Sequence, residues 1–213
     1  MATQLTLYNE ALRVLGETRL ASIAETRPVR YTLDDVWNGG GVKACLEQGL
    51  WNFATRSVEI AQDSDLTPAF GMRYAFSKPT DYVRTAAVCS DPNFREPVLR
   101  YADERGYWFC DLDTLYISYI SDASELGSDL TLWTPAFATF AAHYFAKQVA
   151  PTFVKDKKRL ALIFDQEKKA LNMARNSDAM NEPTQIPSPS NWTRSRYTSG
   201  GSWDRGSHTN LIG

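Results

Sequence analysis

Residues 50–56 read Leu50-Trp51-Asn52-Phe53-Ala54-Thr55-Arg56. At this point a helical pattern stops and a strand pattern begins. Upstream, apolar residues recur every three or four positions; downstream, Arg56 to Ile60 alternates polar and apolar, the period of a half-buried strand. Trp51 and Phe53 bring large apolar rings, which dominate cores. Both are therefore expected as structural anchors that seat a β-rich insert on a helical base. No site chemistry is assigned to either, because buried aromatics mostly pack.

Upstream of the junction, Leu5, Tyr8, Ala11, Leu12 and Leu15 fall at helical spacing and Gly16 suits a C-cap, so a first helix is expected from about Thr3 to Leu15. Residues 17–28 read as a connector, and Pro28 stands near a helix start. Thr32 with Asp35 forms a weak capping box for a second helix that carries Leu33, Val36, Trp37, Ala44 and Leu46 toward Leu50. Gly39-Gly40-Gly41 interrupts this helix, and an interior glycine costs roughly 1 kcal/mol, so a kink or break is expected there. The run Gly39-Gly40-Gly41-Val42-Lys43 lacks the spacing of a phosphate loop and no strand precedes it, so no nucleotide site is assigned.

Downstream, short strands are expected over 54–61, 70–76, 82–89, 98–102, 106–110 and 115–120. A hairpin turn falls at 103–106, and the even spacing predicts one small antiparallel sheet or barrel. Asp111 and Asp113 resemble the opening of a calcium loop, but the glycine and distal glutamate are missing at the required offsets; they read as turn residues.

Thr134-Pro135 opens the most apolar helix, with Phe137, Phe140, Ala141, Tyr144, Phe145 and Val149 in register, and Pro151 is expected to end it. A further helix after Thr152 carries Leu160, Phe164, Leu171 and Ala174 on one face. Lys155, Lys157, Lys158 and Arg159 crowd its start, where cations oppose the helix dipole; Lys157 and Lys158 are therefore assigned to a partner surface. From Asn181 the chain is rich in Ser, Pro, Gly, Asn and Thr without helical or strand period. It still carries Trp192, Tyr197 and Trp203 with Arg194, Arg196 and Arg205, the residue types that anchor interfaces. This segment is expected to be an arm that orders on another chain.

The fold class is thus α+β: residues 1–53 with 130–180 as an antiparallel helical bundle, 54–129 as a β-rich insert, and 181–213 as an extended C-terminal arm. The totals exclude several roles. A net charge of −2 argues against a free-standing nucleic-acid binder. Cys45, Cys89 and Cys110 are odd in number and widely spaced, so neither a disulfide framework nor a zinc site is indicated. No apolar run reaches membrane-spanning length, and the N-terminus lacks an apolar signal core. The rival class is a hydrolase using Cys110 or Cys45 with His143. Against it, the only other histidine is His208 in the arm and no nucleophile elbow is present, so no catalytic, cofactor or metal residue is assigned.

In order, the chain is helix, connector, helix, Trp-Asn-Phe-Ala, β insert, two helices and polar arm. It resembles the tail tubular protein A family of short-tailed bacteriophages, the head-to-tail adaptor beneath the portal. The residues that carry the resemblance are Asn9-Glu10-Ala11-Leu12-Arg13-Val14-Leu15-Gly16-Glu17, Leu50 to Ala54, and Leu132 to Lys147 with the basic helix behind it. It covers about residues 4–180; the glycine run falls within a helix that the family keeps continuous. The resemblance implies a homo-oligomeric ring, typically a dodecamer, docked on the portal protein above and holding the tail nozzle, tubular protein B, below. It also implies a place in the virion tail after assembly in the host cytoplasm. Double-stranded DNA would pass through the lumen without specific binding, and no membrane is involved. Family members tend to grip the portal or a neighbour with the C-terminal segment, and the insert would face the next tail ring. A second rival, a lytic or DNA-binding tail factor, would instead bind DNA salt-sensitively, which a chain of net charge −2 is not expected to do.

Overall fold

Thr3 opens helix α1 (Gln4–Leu15) with a reciprocal capping box: its hydroxyl accepts from the Thr6 amide at 3.2 Å, and the Thr6 hydroxyl accepts from the Thr3 amide at 2.7 Å. Gly16, at φ 72°, closes it in the left-handed region. The structure, a computed structural model, describes residues 2–66, 68, 71–104 and 106–181.

Helix α2 (Pro28–Asn38) starts four residues before the expected cap. Proline already holds the helical φ and lacks the amide that a first turn leaves unbonded. The Thr32–Asp35 box is therefore not formed: Thr32 lies inside the helix and its hydroxyl donates back to the Val29 carbonyl at 2.9 Å. The glycines break the helix outright. Gly40 takes φ 86°, and α3 (Gly41–Leu46) starts afresh. Gly41 is buried, and a β-carbon there would come within 2.7 Å of the Val36 carbonyl and 3.0 Å of the Phe145 ring.

A single 3-10 turn, Asn52–Ala54, leads into β1 (Thr55–Ala61). Then follow β2 (Tyr74–Ser77), β3 (Tyr82–Cys89), β4 (Ala102–Glu104), β5 (Tyr107–Cys110) and β6 (Thr114–Ser121). Two antiparallel sheets form where one was expected, ordered β1-β6-β3 and β2-β5-β4. β3 departs from even register between Tyr82 and Arg84 and again between Thr85 and Ala87, as bulges do. Phe76, Trp108 and Cys110 of one sheet and Val88, Leu115, Ile117 and Tyr119 of the other share a core. β4 begins at Ala102 rather than Val98. Pro97 has no amide to donate to a ladder, and it makes only an isolated bridge with Cys89. The β4–β5 hairpin pairs Glu104 with Tyr107, and Gly106 at φ 86° takes the turn position.

Helix α4 (Pro135–Phe153) begins as expected, with the Thr134 hydroxyl accepting from the Phe137 amide at 3.3 Å. It runs on past Pro151. The helix stops two residues beyond it, where Val154 turns extended and its amide donates to the Ala150 carbonyl at 2.8 Å. Helix α5 (Lys157–Met180) is capped by Asp156, whose carboxylate accepts from the Lys158 amide at 2.9 Å, so it starts later than residue 152. Its buried face is Ile163, Glu167, Ala170, Ala174 and Asp178, while Leu160, Phe164 and Leu171 are half-buried. α4 packs against α1, α2, α3 and α5, and its phenylalanines centre the helical core. The fold is α+β, and no helix among the described residues is long and apolar enough to cross a membrane.

Gly127 marks where the chain leaving β6 returns to the helices. A β-carbon there would strike the Ser121 carbonyl and come within 2.8 Å of Leu46. The Gly127 carbonyl also accepts from the Trp133 indole at 2.9 Å. Gly127→Ala is expected to destabilise by about 1–3 kcal/mol, read as a lower urea midpoint; an unchanged midpoint would contradict this packing.

Candidate interaction surfaces

Trp51 is 1% exposed and reaches from the junction into the helical core. Its indole N–H is shared between the carbonyls of Leu46, at 3.1 Å, and Cys45, at 3.3 Å, which also accept from the Gly49 and Gln48 amides at the end of α3. Its ring lies edge-on to Phe137 at 4.8 Å and stacks with Phe140 and Phe53. Phe53 is half-buried and meets Phe137 at 4.9 Å.

The last turns of α5 hold the same junction. The Asp178 carboxylate accepts from the Asn52 amide at 3.1 Å, and the Asp178 carbonyl accepts from the Asn52 side chain at 3.0 Å. The Arg175 guanidinium donates to the Gln48 carbonyl, its Nε at 3.0 Å. Sequence reasoning missed Glu167 and Asp178 as buried groups. A signal was present: positions 163, 167, 170, 174 and 178 form one helical stripe, and alanines at two of them point it inward.

The cations of α5 divide into two sets. Arg159 donates to the Leu15 carbonyl at 2.7 Å and so serves the negative end of the α1 dipole, which explains a cation at an unfavourable place on its own helix. Lys147 of α4 pairs with the buried Glu167 at 3.2 Å. Lys157 and Lys158 are exposed and make no ion pair among the described residues. Trp192, Arg194, Arg196, Tyr197, Trp203 and Arg205 lie outside the described residues.

Cys45, Cys89 and Cys110 are free and buried. Burial pushes all three thiols up, Cys45 furthest, with Glu167 adding and Lys147 opposing. A nucleophilic cysteine needs its thiolate, and these sites favour the thiol. The Cys110 sulfur accepts from the Leu112 amide at 3.2 Å, inside the β core. His143 sits half-buried on α4, its Nδ1 buried without a hydrogen-bond partner. Burial pushes its pKa down, Arg13 in the same direction and Glu10 and Glu167 against it. The structure thus joins neither Cys45 nor Cys110 to His143 by a hydrogen bond. Asp111 and Asp113 serve turn bonds: Asp111 accepts from the Arg73 amide at 3.1 Å, and the Asp113 carbonyl accepts from the Gln62 amide at 3.3 Å. No group of three or more His, Cys, Asp or Glu among the described residues is placed to hold a metal ion.

At the root of the insert, Asp81 gathers bonds from two strands. Its carboxylate accepts from Ser121 at 2.5 Å, Tyr119 at 3.1 Å and Arg56 at 3.1 Å. Burial works to raise its pKa, but these donors outweigh it and hold the carboxyl below its ordinary value; Tyr119 is pushed up to about 12, by burial and then by Asp81. A carboxyl whose folded pKa is depressed contributes stability above its unfolded pKa of about 4, and loses it as pH falls through the folded value. Asp81→Asn is therefore expected to cost stability at neutral pH and to flatten the fall in stability below about pH 4. Thermal melts followed by circular dichroism across that window would show it; parallel curves for both chains would contradict it.

No protein-family model matches the chain, and no curated protein matches it.

Proposed function

We propose that the chain is a structural virion protein, a head-to-tail adaptor of the tail tubular protein A kind. Copies form a homo-oligomeric ring, a dodecamer, beneath the portal protein. The ring holds the tail nozzle, tubular protein B, and continues the channel for double-stranded DNA. The base is an antiparallel helical bundle, and the C-terminal arm grips the portal or a neighbouring copy through Trp192, Tyr197 and Trp203 with their arginines, assisted by Lys157 and Lys158.

The observation that carries this reading is the braced junction at Trp51. A subunit that couples two rings must transmit load between its halves without bending. Here the indole plugs the helical core while Asp178 and Arg175 tie the end of α5 to Asn52 and Gln48. Interiors packed this way transmit strain rather than absorb it. Three buried thiols held in the protonated form support a mechanical role over the hydrolase reading.

The test is sedimentation velocity of the full chain, and of a chain ending at Asn181, each mixed with the cognate portal ring. The full chain is expected to join the portal saturably and the shortened chain to sediment free. A full chain that ignores the portal overturns the adaptor reading. Equal binding by both chains keeps the adaptor and removes the arm from the contact.

A further inference from the structure

Charge is unevenly divided along this chain. Residues 54–129 hold seven basic and thirteen acidic side chains, whereas residues 135–180 hold eight basic and four acidic. Asp111 and Asp113 of the first set, and Lys158 and Lys169 of the second, are exposed beside exposed apolar side chains.

The first surface is an outer stripe of α5. Lys158, Leu162, Lys169, Met173 and Met180 follow at i, i+4, i+11, i+15 and i+22, which at about 100° per residue keeps them on one side of the helix. Asp165 is the one acid among them. Leu162 is 54%, Met173 70% and Met180 84% exposed. Lys158 and Lys169 are exposed and unpaired among the described residues. Lys169 and Met173 also form one wall of an open cavity of about 440 Å³, whose other wall is Pro135, Thr139 and His143 of α4.

The second surface is the far tip of the insert. β1 leaves the junction at Thr55, opposite Ile120, and ends at Ala61, opposite Thr114. The turn Asp111-Leu112-Asp113 therefore lies at the end remote from the helices. Arg100 reaches Asp111 at 3.9 Å, which brings the 97–101 segment alongside. Leu99 is 93% exposed and Leu112 37%.

We propose that these are two halves of one contact: the acidic tip of one copy docks on the α5 stripe of a second copy. Leu112 enters the cavity beside Met173, Leu99 packs on the rim of the same cavity, and Asp111 and Asp113 meet Lys169. Burial of apolar area supplies the affinity, and the opposed charges steer and orient the encounter. The two surfaces differ, so the contact is head-to-tail and leaves a free tip and a free stripe at the ends of any open chain of copies. A closed ring satisfies both. The contact thus rests on the ring reading and names the surfaces by which its copies meet. It assigns the tip to the neighbouring copy, where the family resemblance points the insert toward the next tail ring.

The test uses the full chain alone, so its failure is separate from failure with the portal. A tip variant carries Leu99→Ser and Leu112→Ser; a stripe variant carries Lys169→Glu and Met173→Ser. All four positions are exposed, and melting curves matching the native chain establish that both variants fold. In sedimentation velocity at low salt, the native chain is expected to associate reversibly, about tenfold more weakly in 0.5 M salt. Each variant alone is expected to be monomeric. Mixed one to one, they retain one intact tip and one intact stripe, and are expected to form dimers that grow no further. A native chain that stays monomeric at low salt, variants that associate as it does, or a mixture that stays monomeric would each overturn the contact.

Discussion

Trp51→Ala is expected to lower the unfolding free energy by about 3–5 kcal/mol, the range for truncating a large aromatic side chain in a core. Three losses add at this position. The indole is 1% exposed and wedged among Phe53, Phe137 and Phe140, so its removal leaves a void that those rings cannot close without leaving their own contacts. Its N–H donates to the carbonyls of Cys45 and Leu46, and both would be left with their amide donors alone. The brace at Asn52 would also lose the backbone position that Trp51 fixes. Phe53→Ala, at a half-buried ring on the rim of the same cluster, is expected to cost clearly less. Urea unfolding of the two variants side by side tests the ranking. Equal losses would mean that Trp51 is not the seat of the insert.

The second large effect is expected at Lys147. Glu167 is 5% exposed and Lys147 pairs with it at 3.2 Å. Lys147→Met leaves the glutamate buried without its cation. Breaking a buried pair from one side typically costs about 3–5 kcal/mol, and about 3 is expected here because the lysine side chain is itself one-third exposed. Adding Glu167→Gln to Lys147→Met is expected to recover most of the loss, since an amide needs no counter-charge. A double variant no more stable than Lys147→Met would show that packing, and not the unpaired charge, sets the cost.

These two positions also separate what was legible in the sequence from what was not. Local chemistry was legible. Thr3 and Gly16 bound α1, and Thr134-Pro135 opens α4, because caps and prolines act within one turn of where they stand. The alternation of residues 54–61 gave β1 to within one residue, and the Trp51 ring is buried as its size requires. Partners distant in the chain were not legible. Arg159 looks misplaced until α5 brings it to Leu15, 144 positions away, and Asp178 looks like a surface acid until it meets Asn52, 126 positions away. The division into two sheets is of the same kind: most strands were visible singly, although β4 falls largely where a turn was expected, and which strand each pairs with is settled by long-range packing. The local errors had local causes. A proline at position 28 outcompeted the Thr32–Asp35 box, and α4 runs two residues past Pro151 before Val154 turns extended.

The measurement that bears most directly on the adaptor reading is the mass of the cognate portal ring before and after saturation with this chain, by native mass spectrometry. The account predicts a single added mass of about 290 kDa, twelve copies of a 24.0 kDa chain, with no partly filled species at saturation. A portal ring whose mass is unchanged, or that takes up one or two copies without closing a ring, would contradict it.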